Sequence, residues 1–150
     1  MNQHDLPAVS FMMLSMWFDI APDAMIAVDR HGAIVMANAQ AERMFGYLIE
    51  EAMGQPLSML LPEGVRTGHA ALVEAFASDP TPSKMMSERR EVRGLRRSGE
   101  EFPIEAGITK VAVGGDLTYT AHLRDISRRK AAQRRLEESE RRLRAVFDHA

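Results

Sequence analysis

The sequence EFPIEAGITKVAVGGDLTYTAHLRD, residues 101–125, carries apolar side chains at every second position in two runs that a glycine pair separates. A period of two is typical of a β-strand with one buried face. Gly114, Gly115 and Asp116 have the composition of a tight turn, so the two runs predict an antiparallel pair of strands. The alternating apolar positions are Phe102, Ile104, Ala106, Ile108, Leu117, Tyr119, Ala121 and Leu123.

Three more strands are predicted upstream of this pair. Residues 24–29 and 33–37 form two short apolar runs around Gly32, which indicates a β-hairpin. A third strand begins near residue 88 and ends at the turn Ser98–Gly99. Five strands in this order predict an α+β fold, in which an antiparallel sheet carries helices on one face.

Short helices occupy the segment between the second and third strands. Residues 39–45 follow Asn38, whose side chain can cap a first helical turn, and precede Gly46, a residue typical of helix ends. Residues 48–53 predict a helix of one or two turns, and residues 65–77 a longer helix with one apolar face. Residues 79–83, DPTPS, predict a loop.

The two ends of the chain predict helices that lie outside this core. Residues 1–20 contain an amphipathic helix, in which Met13, Met16, Trp17 and Ile20 recur on one face. This face requires a partner surface, which is either an apolar face of the sheet or, as favoured here, a second subunit. Its apolar block, residues 11–20, is half of the ~20 residues that cross a bilayer, so no membrane insertion is expected. Residues 127–150 form a charged helix with a coiled-coil stripe, which consists of Ala132, Leu136, Ser139, Leu143 and Val146.

Composition narrows the classes of function. The chain of 150 residues predicts one domain, residues 21–126, with helical extensions at 1–20 and 127–150.

A net charge of -2 gives no electric field that would attract nucleic acid. The arginines of residues 89–97 point alternately to opposite sides of a strand, which favours a solvated strand edge over a nucleic-acid site. The chain has no cysteine, which excludes thiol chemistry and a flavin–cysteine adduct. Asp5 precedes the apolar block where a signal peptide carries positive charge, so a cytoplasmic protein is expected.

Four stretches together resemble a PAS domain of the S-box type, a module common in bacterial sensor kinases and cyclic-di-GMP enzymes. They are residues 21–38 (APDAMIAVDRHGAIVMAN), 41–54 (AERMFGYLIEEAMG), 89–105 (RREVRGLRRSGEEFPIE) and 123–130 (LRDISRRK). The resemblance implies a five-stranded antiparallel sheet with a pocket between the sheet and its helices. Residues 138–150 resemble the helix that opens a second PAS domain, which implies that the C-terminal helix leads into a further domain.

The resemblance also implies roles for single residues. In oxygen-sensing haem PAS domains the histidine that binds the iron lies where His69 does, and an arginine over bound oxygen lies near Arg90. Glu88, on the same face as Arg90, opposes this interpretation, because a carboxylate stands where the haem sensors are apolar or carry a methionine. The Asp125–Ile126–Ser127 element implies a junction that passes a signal to the output helix, with Asp125 and Ser127 as the residues of transmission.

The sequence therefore predicts a regulatory sensor and dimerisation module without catalytic residues, whose ligand it does not name. A parallel homodimer is expected, with an output domain downstream in the same protein. The parent protein is expected to be a histidine kinase or a cyclic-di-GMP enzyme. Two alternatives remain open: a haem-based gas sensor with His69 as the iron ligand, and a ligand-free dimerisation spacer. The residues expected at the dimer interface are Met13, Met16, Trp17, Leu136, Leu143 and Val146.

Overall fold

The computed structural model describes residues 8–78, 83–85, 90–113 and 115–149. Within these ranges helices and strands follow the predicted order. The elements are α1 (Ala8–Ile20), β1 (Ala24–Val28), β2 (Ile34–Ala37), α2 (Ala39–Phe45), α3 (Ile49–Ala52), two 3-10 turns (Leu57–Leu60 and Glu63–Val65), α4 (Arg66–Ala77), β3 (Ser83–Met85), β4 (Arg90–Leu95), β5 (Glu101–Val113), β6 (Asp116–Asp125) and α5 (Ser127–Asp148).

The sheet is antiparallel and has five positions, as predicted. Its order is β2–β1–β6–β5, and both β3 and β4 pair with β5. Since β6 occupies the other edge of β5 along residues 104–113, β3 and β4 share the remaining edge and together fill the fifth position. β3 was not predicted: Ser83, assigned to the loop, pairs with Val111, while residues 79–82 of that loop lie outside the described ranges.

The alternation of β5 and β6 turns one face of the sheet toward the helices. The ring of Phe102 on β5 meets that of Phe45 on α2 edge-on, at a centroid distance of 5.7 Å. Burying a side chain of this size contributes about 2–3 kcal/mol. The largest members of this core are Ile26, Ile34, Met44, Phe45, Leu60, Phe102, Ile104, Tyr119 and Leu123.

Both predicted ends of α2 are confirmed. The side chain of Asn38 accepts a hydrogen bond from the amide of Ala41, which satisfies one of the orphan donors of the first turn. Gly46 ends the helix with a φ of 82°, a left-handed conformation that only glycine adopts without strain. α2 is thereby held at fixed length against the sheet.

The two terminal helices carry mostly exposed side chains. In α1, consecutive exposed residues Met12, Met13 and Leu14 span about 200° of the circumference, so the helix is apolar on more than the one face that the sequence predicts. α5 has no buried residue over its 22 residues. No helix in the described ranges combines the length and the apolar character needed to cross a bilayer.

Candidate functional site

A small pocket lies between α2, α3 and the first two strands. Its volume is about 20 Å³, enough for one water molecule and far below the ~300 Å³ of a typical small-molecule site. The residues that line it are Ile26, Ile34, Ala37, Ala41, Glu42, Phe45, Tyr47, Ile49, Ala52 and Leu60. In this conformation the pocket is too small for an ordinary ligand, which would need the helices and the sheet to move apart.

Glu42 is the charged residue of this pocket wall. Its Oε2 accepts a hydrogen bond from the amide of Ile49, at 3.1 Å, which fixes the start of α3 relative to α2. Glu51 supports the same helix end, since its carboxylate accepts from the amide of Leu48. A hydrogen bond from the start of α3 to Glu42 therefore links the two helices that line the pocket.

His69 lies on α4 and is half-buried, apart from the residues that line the pocket. Burial lowers the pKa of its imidazole, so the ring is neutral at pH 7. Within the described ranges, no hydrogen bond to this ring is present. A neutral imidazole is the form that binds metals.

The C-terminal end of α4 is held to the sheet by Lys110 of β5, which is only 1% exposed. Its Nζ donates to the backbone carbonyl of Phe76, at 3.1 Å, and lies 5.3 Å from the Phe76 ring. The Phe76 ring also contacts Tyr119, at a centroid distance of 6.1 Å. A cation at the carbonyl end of a helix is favourable, so Lys110 stabilises the docked position of α4.

Arg90 begins β4, where its backbone pairs with Ala106. The side chain of Arg90 is not among those described, and Glu88 lies outside the described ranges altogether. The predicted pairing of Arg90 with His69 around a haem therefore stays a prediction.

The junction between β6 and α5 is built around Asp125. Its Oδ1 accepts from the backbone amide of Ser127, at 2.9 Å, and from the Ser127 hydroxyl, at 2.5 Å. Partial burial alone would raise the pKa of Asp125, but the hydrogen bonds from Ser127 and Arg96 outweigh it and hold the pKa below its ordinary value. Asp125 and Ser127 thus meet at the start of the helix, on the site that the sequence predicts.

Arg96 is a member of this junction that the sequence analysis missed. Its Nη2 donates to Oδ2 of Asp125, at 2.8 Å, and its guanidinium lies 3.6 Å from the ring centroid of Phe102. Its side chain is 22% exposed, so the interpretation of residues 89–97 as a solvated edge is wrong for this arginine. A guanidinium can stack on an aromatic ring while it binds a carboxylate. In the sequence, the position of Arg96 before the Ser98–Gly99 turn was the available clue to its burial.

Further ion pairs attach the first turn of α5 to the sheet. Arg129 donates to Glu105 of β5, at 3.2 Å, and Lys130 pairs with Glu91 of β4. Ile126 is buried, and its amide donates to the carbonyl of Pro103. The direction in which α5 leaves the domain is therefore set by contacts to β4 and β5.

The residues expected at a dimer interface are exposed on α1 and on α5. On α1 the exposed fraction is 60% for Met16 and 56% for Trp17, and Met13 is also exposed. On α5 it is 62% for Leu136 and 68% for Val146, and Leu143 is exposed too. These side chains are available to a second subunit, and the role predicted for them remains a prediction.

Comparison with known proteins gives consistent matches. A family model described as the PAS fold matches residues 14–126. Sensor protein FixL of Bradyrhizobium diazoefficiens is 36% identical over 117 residues, which are 78% of this chain and 23% of that protein. Oxygen sensor protein DosP of Escherichia coli is 24% identical over 124 residues, which are 83% of this chain and 15% of that protein. The chain thus spans less than a quarter of either relative.

Solved structures agree with this assignment. The PAS domain of a protein from Colwellia psychrerythraea superposes with a TM-score of 0.67 at 26% identity, over 79% of this chain and 98% of that one. An RNA-binding light-oxygen-voltage receptor superposes with a TM-score of 0.70 over 93% of this chain and 40% of that one; at 21% identity this likeness concerns the fold alone. Since the family model covers well over half of the residues, the chain belongs to the PAS fold family.

Proposed function

We propose that this chain is a regulatory sensor and dimerisation module, in which a change in the PAS core is passed to α5. The observation that carries the proposal is the junction at Asp125, where one carboxylate joins the end of β6, the start of α5 and Arg96. Asp125 and Ser127 are its residues of signal transmission. A ligand acts through its differential affinity for two arrangements of this junction, a coupling of about 1–3 kcal/mol.

The proposed assembly is a parallel homodimer. Leu136, Leu143 and Val146 are spaced seven and three residues apart, and all are exposed along one stripe of α5, the spacing of a coiled-coil seam. Met13, Met16 and Trp17 of α1 form a second apolar contact. The relatives are several times longer than this chain, which supports a further domain in the parent protein. We place an output domain of the histidine kinase or cyclic-di-GMP type after α5. The module itself is taken to be non-catalytic and cytoplasmic.

Analytical ultracentrifugation tests the α5 seam. The variant Leu136→Asp, alone and with Leu143→Asp, places a charge in the seam, so the dimer should dissociate or weaken by at least tenfold. Ala131→Asp adds the same charge outside the stripe and serves as the matched control. If Leu136→Asp and Ala131→Asp sediment alike as dimers, α5 is not the interface.

The sensor and the ligand-free spacer differ in how they depend on the pocket. In the full-length parent protein, substitutions at the pocket residues Ala41 and Ala52 should change the output of a sensor at unchanged dimerisation. In a spacer they should leave the output unchanged, whereas Leu136→Asp abolishes it. Output activity measured beside sedimentation therefore separates the two functions.

A haem-based gas sensor is the second candidate function. Two observations favour it: the half-buried, neutral imidazole of His69, and the similarity to FixL and to DosP, which is named an oxygen sensor. As packed here, the described residues do not fit a haem at His69, because Lys110 anchors α4 to the sheet. Haem binding would require α4 to separate from the sheet.

Absorption spectroscopy decides between these candidates. Purified protein, and protein titrated with hemin, should develop a Soret band if the chain is a haem sensor. His69→Ala should then abolish the band, while His149→Ala, at the exposed end of α5, should leave it unchanged. A protein that is colourless and gains no Soret band with hemin excludes the haem function.

A further inference from the structure

Arg96 lies between the helix that lines the pocket and the helix that leaves the domain. Besides the bond to Asp125, its Nη1 donates to the backbone carbonyl of Met44, at 2.5 Å. Its Nε donates to Glu100, at 3.3 Å, and its plane rests on Phe102. A single guanidinium therefore contacts α2, β5 and the junction before α5 at the same time.

The contact with α2 falls on its last turn, where backbone carbonyls have no partner within the helix. The Arg96 side chain donates a hydrogen bond to the carbonyl of Met44. The backbone amide of Arg97 donates one to the carbonyl of Phe45, at 2.8 Å. Phe45 also lines the pocket, so the carbonyl that Arg96 binds belongs to the residue next to a pocket wall. A displacement of α2 by the pocket contents moves this carbonyl.

The contact with Asp125 falls on the carboxylate that holds Ser127. A guanidinium is a rigid planar fork, so its donors keep both partners only while these stay in one relative position. The Phe102 ring, whose centroid lies 3.6 Å from Cζ of Arg96, limits the movement of the guanidinium. When the carbonyl of Met44 moves, the Arg96 guanidinium must either lose one of its two hydrogen bonds or rotate. Either change alters its hydrogen bond to Asp125.

We infer that Arg96 is the positioning residue that couples α2 to α5. The inference rests on the proposed transmission from core to α5 and specifies its route: pocket wall, last turn of α2, Arg96, Asp125, first turn of α5. The strands need not slide relative to one another. Arg97, the neighbouring residue, pairs with Glu51 and packs near Tyr47, and its side chain takes no part in this route.

The test uses a substitution in place of the unidentified ligand. Ala41→Val enlarges a side chain of α2 that lines the pocket, and overpacking there displaces the helix. Hydrogen exchange of the amides of Ser127 and Lys130 reports the first turn of α5, because both are hydrogen-bonded at the junction. We expect Ala41→Val to accelerate their exchange by about fivefold or more.

The same substitution is then made in altered backgrounds. In Arg96→Gln the response at Ser127 and Lys130 to Ala41→Val should disappear, while the response of the α2 amides persists. Arg96→Lys keeps a cation beside Asp125 without the planar fork, and should also lose most of the response. Arg97→Gln removes a neighbouring guanidinium and should keep it in full.

The outcomes distinguish a failure of the route through Arg96 from a failure of the proposed transmission to α5. If Ala41→Val shifts α2 but leaves Ser127 and Lys130 unchanged in the parent sequence, the proposed transmission itself is refuted. If the response at α5 is equal with and without Arg96, transmission stands and the route through Arg96 is overturned. Should Arg96→Gln fail to fold, Arg96→Lys against Arg97→Gln supplies the same comparison.

Discussion

Asn38 fills all four hydrogen-bonding positions of its side chain within the domain, and it is completely buried. Its Oδ1 accepts from the amides of Met25, at 2.9 Å, and Ala41, at 3.1 Å. Its Nδ2 donates to the carbonyls of Phe18, at 2.9 Å, and Asp23, at 3.0 Å. One amide group thus ties the end of α1 to β1 and α2.

The variant Asn38→Asp separates the two halves of this side chain. The oxygen that caps α2 remains, but a second oxygen replaces the donor and faces the carbonyls of Phe18 and Asp23. We expect the free energy of unfolding to fall by about 2–3 kcal/mol in urea denaturation, because both carbonyls lose their donor. Gln133→Glu makes the same exchange on the surface of α5 and should change stability by less than about 0.5 kcal/mol. Similar small losses in both variants would contradict the role of Asn38.

Gly94 is held by steric contact. A Cβ at this position would lie 2.2 Å from Cδ1 of Ile104 and 3.0 Å from Cε1 of Phe102. Gly94→Ala should therefore lower the free energy of unfolding by about 1–3 kcal/mol, measured in urea. Combining it with Ile104→Val, which deletes the clashing carbon, should cost less than the sum of the two single changes.

Gly68 provides the control for this prediction. It lies in α4, and nothing is within 4 Å of a Cβ built there. Gly68→Ala should stabilise the chain by about 0.5–1 kcal/mol, because alanine is the better helix former. Equal effects at Gly94 and Gly68 would show that backbone entropy, and not the contact with Ile104, determines both.

At the scale of elements, the sequence predicts structure best where the periodic pattern and the packing agree. The alternation from Phe102 to Ile108 predicts the core face of β5, and Asn38 and Gly46 predict both ends of α2, since each relies on local chemistry alone. The inward-facing residues of β5 continue to Lys110, whose charge would predict exposure to solvent although the side chain is buried. The carbonyl end of α4, distant in sequence, contributes to making that burial favourable.

The candidate site was predictable to a smaller extent, for the same reason. Asp125 and Ser127 are two residues apart in sequence, so the hydrogen bonds between them can be inferred from residue type and order. Arg96 acts through Met44 and Asp125, 52 and 29 residues away, and only the fold brings these groups together. β3 is three residues long and follows two prolines, a length too short for periodicity to detect.

α4 should respond to pH through His69. Burial lowers the pKa of this imidazole below its ordinary value of 6.5, so the unfolded chain binds the proton more readily than the folded one. Its contribution to stability is therefore full above pH 6.5 and falls as the pH drops through and below that value. The free energy of unfolding, measured between pH 8 and pH 5.5, should decrease less in His69→Gln than in the parent. His149→Gln, at the exposed end of α5, should keep the parental dependence; identical slopes in all three proteins would contradict the assignment.

At the scale of the whole molecule, uncovered apolar surface lies on the two terminal helices, at opposite ends of the chain. α1 exposes Met12, Met13, Leu14, Met16, Trp17 and Ile20, more than a single soluble subunit usually leaves in contact with water. α5 exposes the narrower stripe of a coiled coil. A dimer through α5 alone would leave α1 uncovered, so the proposed dimer requires both contacts.

The single tryptophan makes the α1 contact measurable. Trp17 is 56% exposed in one subunit, so its burial in a dimer should shift its fluorescence to shorter wavelength. On dilution below the dissociation constant the emission should return to longer wavelength. Met16→Glu should give the long-wavelength emission at every concentration and raise the dissociation constant by about tenfold or more. If the emission wavelength of Trp17 changes neither on dilution nor in Met16→Glu, α1 lies outside the interface.

The attachment of α2 at both of its ends has a consequence for proteins built from several such domains. The residue before α2 carries the amide that fastens the incoming helix α1, and its last turn carries the carbonyl that Arg96 shares with the outgoing helix α5. Seven residues of helix, about 10 Å, separate the two attachments. In a tandem array we expect a torque applied by an upstream neighbour to reach the downstream helix through this short helix, alongside the direct pairing of β1 with β6.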